Sequence, residues 1–136
     1  MNNAEFSIKY LKPINNLLRS MFGKEYSITL DFCENKGLDV VIGFIENILN
    51  DIFSEKYVKF KSTWGKERYI KFIQRNKKIF HTRYGIGMKT DHTLIDIGNK
   101  FEISRERVRQ IQAKTLRLLR RNMAHKFVIF FDLNYE

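Results

Sequence analysis

Between Leu94 and Ile111 the chain spaces its apolar residues in a way that suits two short helices crossing at a tight turn. Counted from Leu94 as the first position, Ile97 is fourth, Gly98 fifth, Phe101 eighth, Ile103 tenth, Val108 fifteenth and Ile111 eighteenth. In a helix-turn-helix the apolar positions face a shared core, and the small residue lets the second helix approach the first closely. Thr93 and Ser104 precede the two helical stretches, roughly 94–101 and 105–121, and can cap their free backbone amides. Glu102 stands in the turn where glycine is common.

On a helix that begins at Arg105, Val108, Ile111, Thr115, Leu118 and Leu119 gather on one side. The opposite side holds Glu106, Arg109, Gln110, Ala113, Arg117 and Arg120, with Arg105 at its flank. These are side chains suited to base edges. Arginine forks onto guanine, glutamine pairs with adenine, and glutamate accepts from the cytosine amino group. Residues 105–121 hold seven basic side chains and one acidic, an excess that attracts phosphates. A merely solvated helix would more often carry spaced Glu and Lys pairs.

The basic excess lies after residue 64, the chain before it being nearly charge-balanced and apolar, and it sets the charge of the whole. The chain has 136 residues, with 25 Lys and Arg against 15 Asp and Glu, a formal charge of +10 that favours polyanionic partners. A 43% hydrophobic content supports a packed core, and the length suits one domain or a small domain with an appendage. Cys33 is the only cysteine, so no internal disulfide and no cysteine-based zinc site is expected. His81, His92 and His125 lack ligand spacing, so neither metal nor cofactor is expected. Asp91 and His92 have no serine or cysteine nucleophile near them in sequence, and no enzymatic constellation is found. No apolar run approaches a membrane span and the first ten residues lack a signal-peptide layout. A cytoplasmic protein is the expectation.

Elsewhere the periodicity predicts a helix over 5–22, with Pro13 as a kink or late start and Gly23 as the stop. Residues 26–32 alternate like a short strand, 38–53 form an apolar helix, and 57–64 suit a strand or a connector. A basic helix follows over 66–84 and ends at Gly85-Ile-Gly87, a helix stop rather than a phosphate loop. The run from Lys66 to Lys78 reads equally as a solvated face or a clamp on DNA backbone. The expected division is an N-terminal extension over 1–64, a DNA-binding domain over 65–124, and an apolar tail over 125–136 that packs back on the body.

The stretch TLIDIGNKFEISRERVRQIQAKTLRLLRR resembles the helix-turn-helix of region 4 in the bacterial sigma-70 family, most specifically through the residues from Ser104 to Ile111. The preceding Arg83-Tyr84-Gly85 is similar to that family's Arg-aromatic-Gly. The resemblance covers roughly residues 70–121. It implies a mainly α fold with a C-terminal region 4-like helix-turn-helix, to which the periodicity before residue 64 adds an N-terminal extension that is helical or a small α+β unit. It also implies recognition of the −35 promoter element in double-stranded DNA, with Arg105, Glu106 and Gln110 at base-contacting positions. Arg107, Arg109, Lys114, Arg117 and Arg120 then fall where the DNA backbone or an activator is touched. Ile79, Phe80 and Tyr84 would help form a groove that docks on the β flap of core RNA polymerase.

Nothing before residue 64 resembles the family's strand-melting region 2. The aromatic residues there, among them Phe6, Tyr10, Phe22, Phe44, Phe60 and Trp64, suit a core better than a strand-capturing surface. An incomplete sigma factor is therefore expected, working alone or with a separate polypeptide that bears region 2. Two other readings stay open. One is a region 4 mimic that occupies the polymerase or a regulator as an interaction protein. The other is a stand-alone helix-turn-helix regulator.

Overall fold

The computed structural model describes residues 3–54, 56–59, 63, 65–88 and 92–134, with side chains from residue 9 onward. Among them the chain forms six helices: α1 (Asn3–Phe22), α2 (Leu30–Lys36), α3 (Leu38–Ile52), α4 (Lys66–Tyr84), α5 (Leu94–Phe101) and α6 (Arg105–Phe131). The fold is mainly α, with a helical N-terminal part.

α1 continues through Pro13, which is buried. A proline inside a helix costs about 3 kcal/mol. Burial of Ile14, Leu17, Leu18 and Met21 along the same face offsets that cost.

The strand expected over 26–32 is absent, and Asn15 supplies the physical reason. Its buried side-chain amide donates to the Ile28 carbonyl at 3.2 Å and accepts from the Ile28 N–H at 2.8 Å. Both backbone groups of Ile28 are thus satisfied by a side chain, and no second strand is required. Thr29 then caps α2, its hydroxyl accepting from the Phe32 N–H at 3.1 Å. The α+β alternative for the N-terminal part is therefore corrected to helix. The second alternating piece, 57–64, lies partly outside the described residues, and residues 57–59 belong to no helix or strand.

α3 and α4 keep the expected bounds to within a residue. Gly85 ends α4 in the left-handed conformation at φ 71°, and its N–H returns to the His81 and Thr82 carbonyls.

α6 differs most from expectation. It does not end near residue 121 but runs unbroken to Phe131, a rod of 27 residues and about 40 Å in length. The expected tail packs on the body as the last turns of this helix.

Two apolar clusters divide the interior. The smaller joins Ile79, Ile97, Val108 and Ile111, with Leu94, Phe101 and Ile103 at its edge, and clamps α4, α5 and the start of α6. The larger joins α1, α2 and α3 to Phe80, Tyr84 and Ile86, and to Leu116, Leu119, Met123, Phe127 and Phe131 of α6. Residues from both sides of position 64 build it. Phe22 is buried there, and Tyr26, Phe32, Phe44, Phe53 and Tyr57 pack against it, whereas Phe6, Phe60 and Trp64 lie outside the described side chains. Phe44 stacks on Phe130 with ring centroids 4.0 Å apart and meets Phe127 edge-on at 5.3 Å.

Candidate nucleic-acid interface

The helix-turn-helix starts from its two caps. Thr93 Oγ1 accepts from the Asp96 N–H at 3.1 Å, and Ser104 Oγ accepts from the Arg107 N–H at 3.0 Å. Between the helices, the Ile103 N–H donates to the Gly98 carbonyl at 3.0 Å. A Cβ on Gly98 would lie only 2.7 Å from the Ile103 carbonyl oxygen. The absence of a side chain is what allows the backbone to cross there.

Glu102 takes φ 57°, the left-handed conformation that the turn requires and that L-residues enter at a cost. Glu102→Gly should therefore raise stability by on the order of 0.5–1 kcal/mol, the relief of strain exceeding glycine's entropy penalty. A denaturant midpoint measures it. A lowered midpoint would show that the Glu102 side chain contributes more than its backbone strain costs.

The two sides of α6 separate as the periodicity predicts. Val108, Ile111, Thr115 and Leu119 are buried, joined by Leu116, which the helical pattern had not singled out, while Leu118 is half-buried. Arg105, Glu106, Arg107, Arg109, Gln110, Lys114, Arg117 and Arg120 are all exposed.

Several of these exposed side chains are already held. Glu106 and Arg109 form a two-pronged pair, with oxygen–nitrogen distances of 2.5 and 2.9 Å. The Arg109 guanidinium beside Glu106 holds its carboxyl below the usual carboxylate range, so Glu106 presents acceptors only. Arg107 Nη1 donates to Gln110 Oε1 at 3.4 Å, leaving the Gln110 amide protons directed elsewhere. Arg120 Nη1 donates to the Ser20 carbonyl of α1 at 2.9 Å. That tie was not legible in the sequence, because Arg120 and Ser20 are a hundred residues apart.

One flank of the face borders a cavity of about 70 Å³ whose lining includes Phe53, Val58, Phe72, Asn76, Gln110 and Lys114. Asn76 Oδ1 is buried and without a partner among the described residues. The other flank carries Gln112, which sequence reasoning passed over. Gln112 accepts from Arg83 Nε at 3.0 Å and donates to the Tyr84 hydroxyl at 3.3 Å, fastening the end of α4 to α6. Arg83 Nη1 also donates to the His92 carbonyl at 2.7 Å, which fixes the approach to α5.

The remaining sequence candidates lie elsewhere. Ile79, Phe80 and Tyr84, expected to line a polymerase-docking groove, are 1%, 0% and 5% exposed. Ile79 belongs to the small core and the other two to the large one, so their apolar surface is spent on packing. Arg68, Lys71, Phe72 and Arg75 line an open groove on α4. His81 faces Glu46 at 3.6 Å, while His92 Nδ1 lies 3.2 Å from the Thr82 carbonyl oxygen and His125 is exposed. Among the described residues no group of three His, Cys, Asp or Glu side chains is placed to hold a metal ion. None of the described helices is long and apolar enough to cross a membrane.

With this geometry in place, a comparison with known families identifies the segment. Residues 74–121 match the family Sigma-70, region 4. The matched region 4 begins within α4, contains α5, and ends ten residues before α6 does. A similar curated protein is RNA polymerase sigma factor RpoD of Neisseria gonorrhoeae, 54% identical over 46 residues. That alignment covers 34% of this chain and 7% of the relative. The chain therefore corresponds to a small part of that protein's length. No solved structure gives a match. α1, α2, α3 and the last turns of α6 lie outside the region 4 match.

Proposed function

We propose that this chain is a sequence-specific DNA-binding protein of transcription initiation. Its region 4-like helix-turn-helix reads −35-type promoter DNA through the major groove and contacts RNA polymerase. The observation that carries this reading is the exposure of Arg105, Glu106 and Gln110 opposite the buried Val108 and Ile111. A duplex can reach the first three without disturbing the packing of the others.

In this proposal Arg105 and Gln110 contact base edges, and Glu106 accepts from an exposed amino group. Arg107, Arg109, Lys114 and Arg117 meet phosphates at the groove walls, with Arg120 at the margin beside α1. The polymerase contact is assigned to the exposed surface, since Ile79, Phe80 and Tyr84 are interior. Capture of the melted strand is assigned to a region 2 supplied from outside these residues.

Arg105→Ala or Gln110→Ala should each cost about 1–3 kcal/mol on the cognate duplex and relax the choice of sequence. Binding titrations on cognate and scrambled duplexes at fixed salt measure this. Equal losses on both duplexes would assign these side chains to phosphates alone and remove base reading. Co-purification with core polymerase tests the second half. Polymerase binding undiminished in the doubly substituted chain, with no sequence preference in the unsubstituted one, would favour mimicry of region 4 over promoter reading.

A further inference from the structure

Beside the reading face of α6 lies the cavity of about 70 Å³ that Asn76 lines from α4. Its walls are apolar, with Phe53, Val58, Phe72, Ile73, Ile111 and Leu118 among them. Arg107, Gln110 and Lys114 of α6 also line it, and all three are exposed, so they mark its mouth. No carboxylate is found among the described lining residues. A space of this size holds about five waters or one small organic molecule.

Asn76 is 8% exposed, and its Oδ1 is shut off from solvent without a hydrogen-bond partner among the described residues. Leaving a buried acceptor unsatisfied costs its full desolvation, which a well-placed donor would recover. The Thr115 hydroxyl in the same wall is already committed, donating to the Ile111 carbonyl at 2.8 Å. The donor that Asn76 lacks therefore has to come from an occupant of the cavity.

We infer that this cavity binds a small aromatic acid that carries a hydroxyl group. Apolar walls with a few placed polar groups are the usual make-up of a small-molecule site. The hydroxyl would donate to Asn76 Oδ1, and the ring would lie among Phe53, Phe72 and Leu118. The carboxylate would meet Arg107 and Lys114 at the mouth. At neutral pH such a molecule keeps its phenolic proton and loses its carboxyl proton, which supplies one donor and one anion. Arg107 and Lys114 are also assigned phosphate contacts, so an occupied cavity lowers affinity for the duplex. That consequence rests on the DNA-reading function proposed above; binding of the acid does not.

The compounds tested are para-hydroxybenzoate, benzoate and phenol, each titrated calorimetrically into the full chain without DNA. Para-hydroxybenzoate should bind about tenfold more tightly than benzoate, the worth of one bond to an otherwise unsatisfied acceptor. It should exceed phenol by a smaller factor, since its ion pair forms at an exposed mouth. Asn76→Leu removes the acceptor while retaining bulk. It should fold with an unchanged or raised unfolding midpoint and abolish the preference for para-hydroxybenzoate over benzoate. Equal binding of those two acids by the unsubstituted chain would overturn the role of Asn76. No binding of any of the three compounds would overturn the site and leave the space to water.

A duplex titration at saturating para-hydroxybenzoate tests the consequence. Affinity should fall, and the log–log slope against salt should drop by about 1, as when one phosphate contact is lost. Binding of the acid with no change in duplex affinity would overturn the coupling. Cognate preference is read from the Arg105 variant, and Arg105 is not among the lining residues. Failure of base reading and failure of this site therefore give different results.

Discussion

Phe127→Ala should destabilise the chain by about 3–5 kcal/mol, the cost of emptying a fully packed aromatic site. Phe127 is 0% exposed and sits six residues beyond the end of the region 4 match. Its ring lies 5.3 Å from that of Phe44 on α3, 6.3 Å from Phe22 on α1 and 5.8 Å from Phe131 on its own helix. Truncation would leave these neighbours facing a void that helices tied at several points cannot collapse to fill. Domains are stable by about 5–15 kcal/mol, so the loss is a large share of the whole. The measurement is a denaturant midpoint with an unchanged slope. A loss under about 1 kcal/mol, well below the usual range, would mean that the last turns of α6 do not hold the N-terminal helices.

Gly98→Ala is the second large effect, and its sign opposes helix propensity. Alanine favours a helix interior over glycine by about 1 kcal/mol. Here its Cβ would stand 2.7 Å from the Ile103 carbonyl oxygen, a backbone atom in the turn that joins α5 to α6. Relief requires the two helices to separate, which loosens the packing of Ile97 on Val108 and Ile111 and tilts the reading face. We expect a net loss of about 1–3 kcal/mol, as for overpacked cores, with weakened duplex binding beside it. Gly43→Ala on α3 is the control. A Cβ there meets nothing within 4 Å, so stability should rise by about 0.5–1 kcal/mol. Equal responses at the two positions would remove the close crossing as the reason for glycine at 98.

The contrast between these sites shows what the sequence made legible. The crossing at Gly98, the caps Thr93 and Ser104, and the division of α6 into two faces all depend on residues within about twenty positions of one another. Local spacing carries such information well.

Other features depend on partners remote in the chain. Residues 26–32 alternate like a strand, yet Asn15 on α1 satisfies the backbone of Ile28 and the segment turns into α2. The run Phe127-Val-Ile-Phe-Phe131 has the β-branched and aromatic content of a strand, yet it stays helical because α1, α2 and α3 offer its rings a core. The docking role expected of Ile79, Phe80 and Tyr84 depended on apolar surface that α5, α6 and the N-terminal helices cover.

α6 belongs to both apolar clusters without a break between Arg105 and Phe131. A recognition element joined to its neighbour by a flexible tether can present that neighbour at any angle around the duplex. A continuous rod cannot. Whatever face α1, α2 and α3 present would be carried at one fixed azimuth about the bound DNA. Inserting about 5 base pairs between this site and a second bound protein would turn that face to the far side of the double helix, half of its ~10-base-pair repeat.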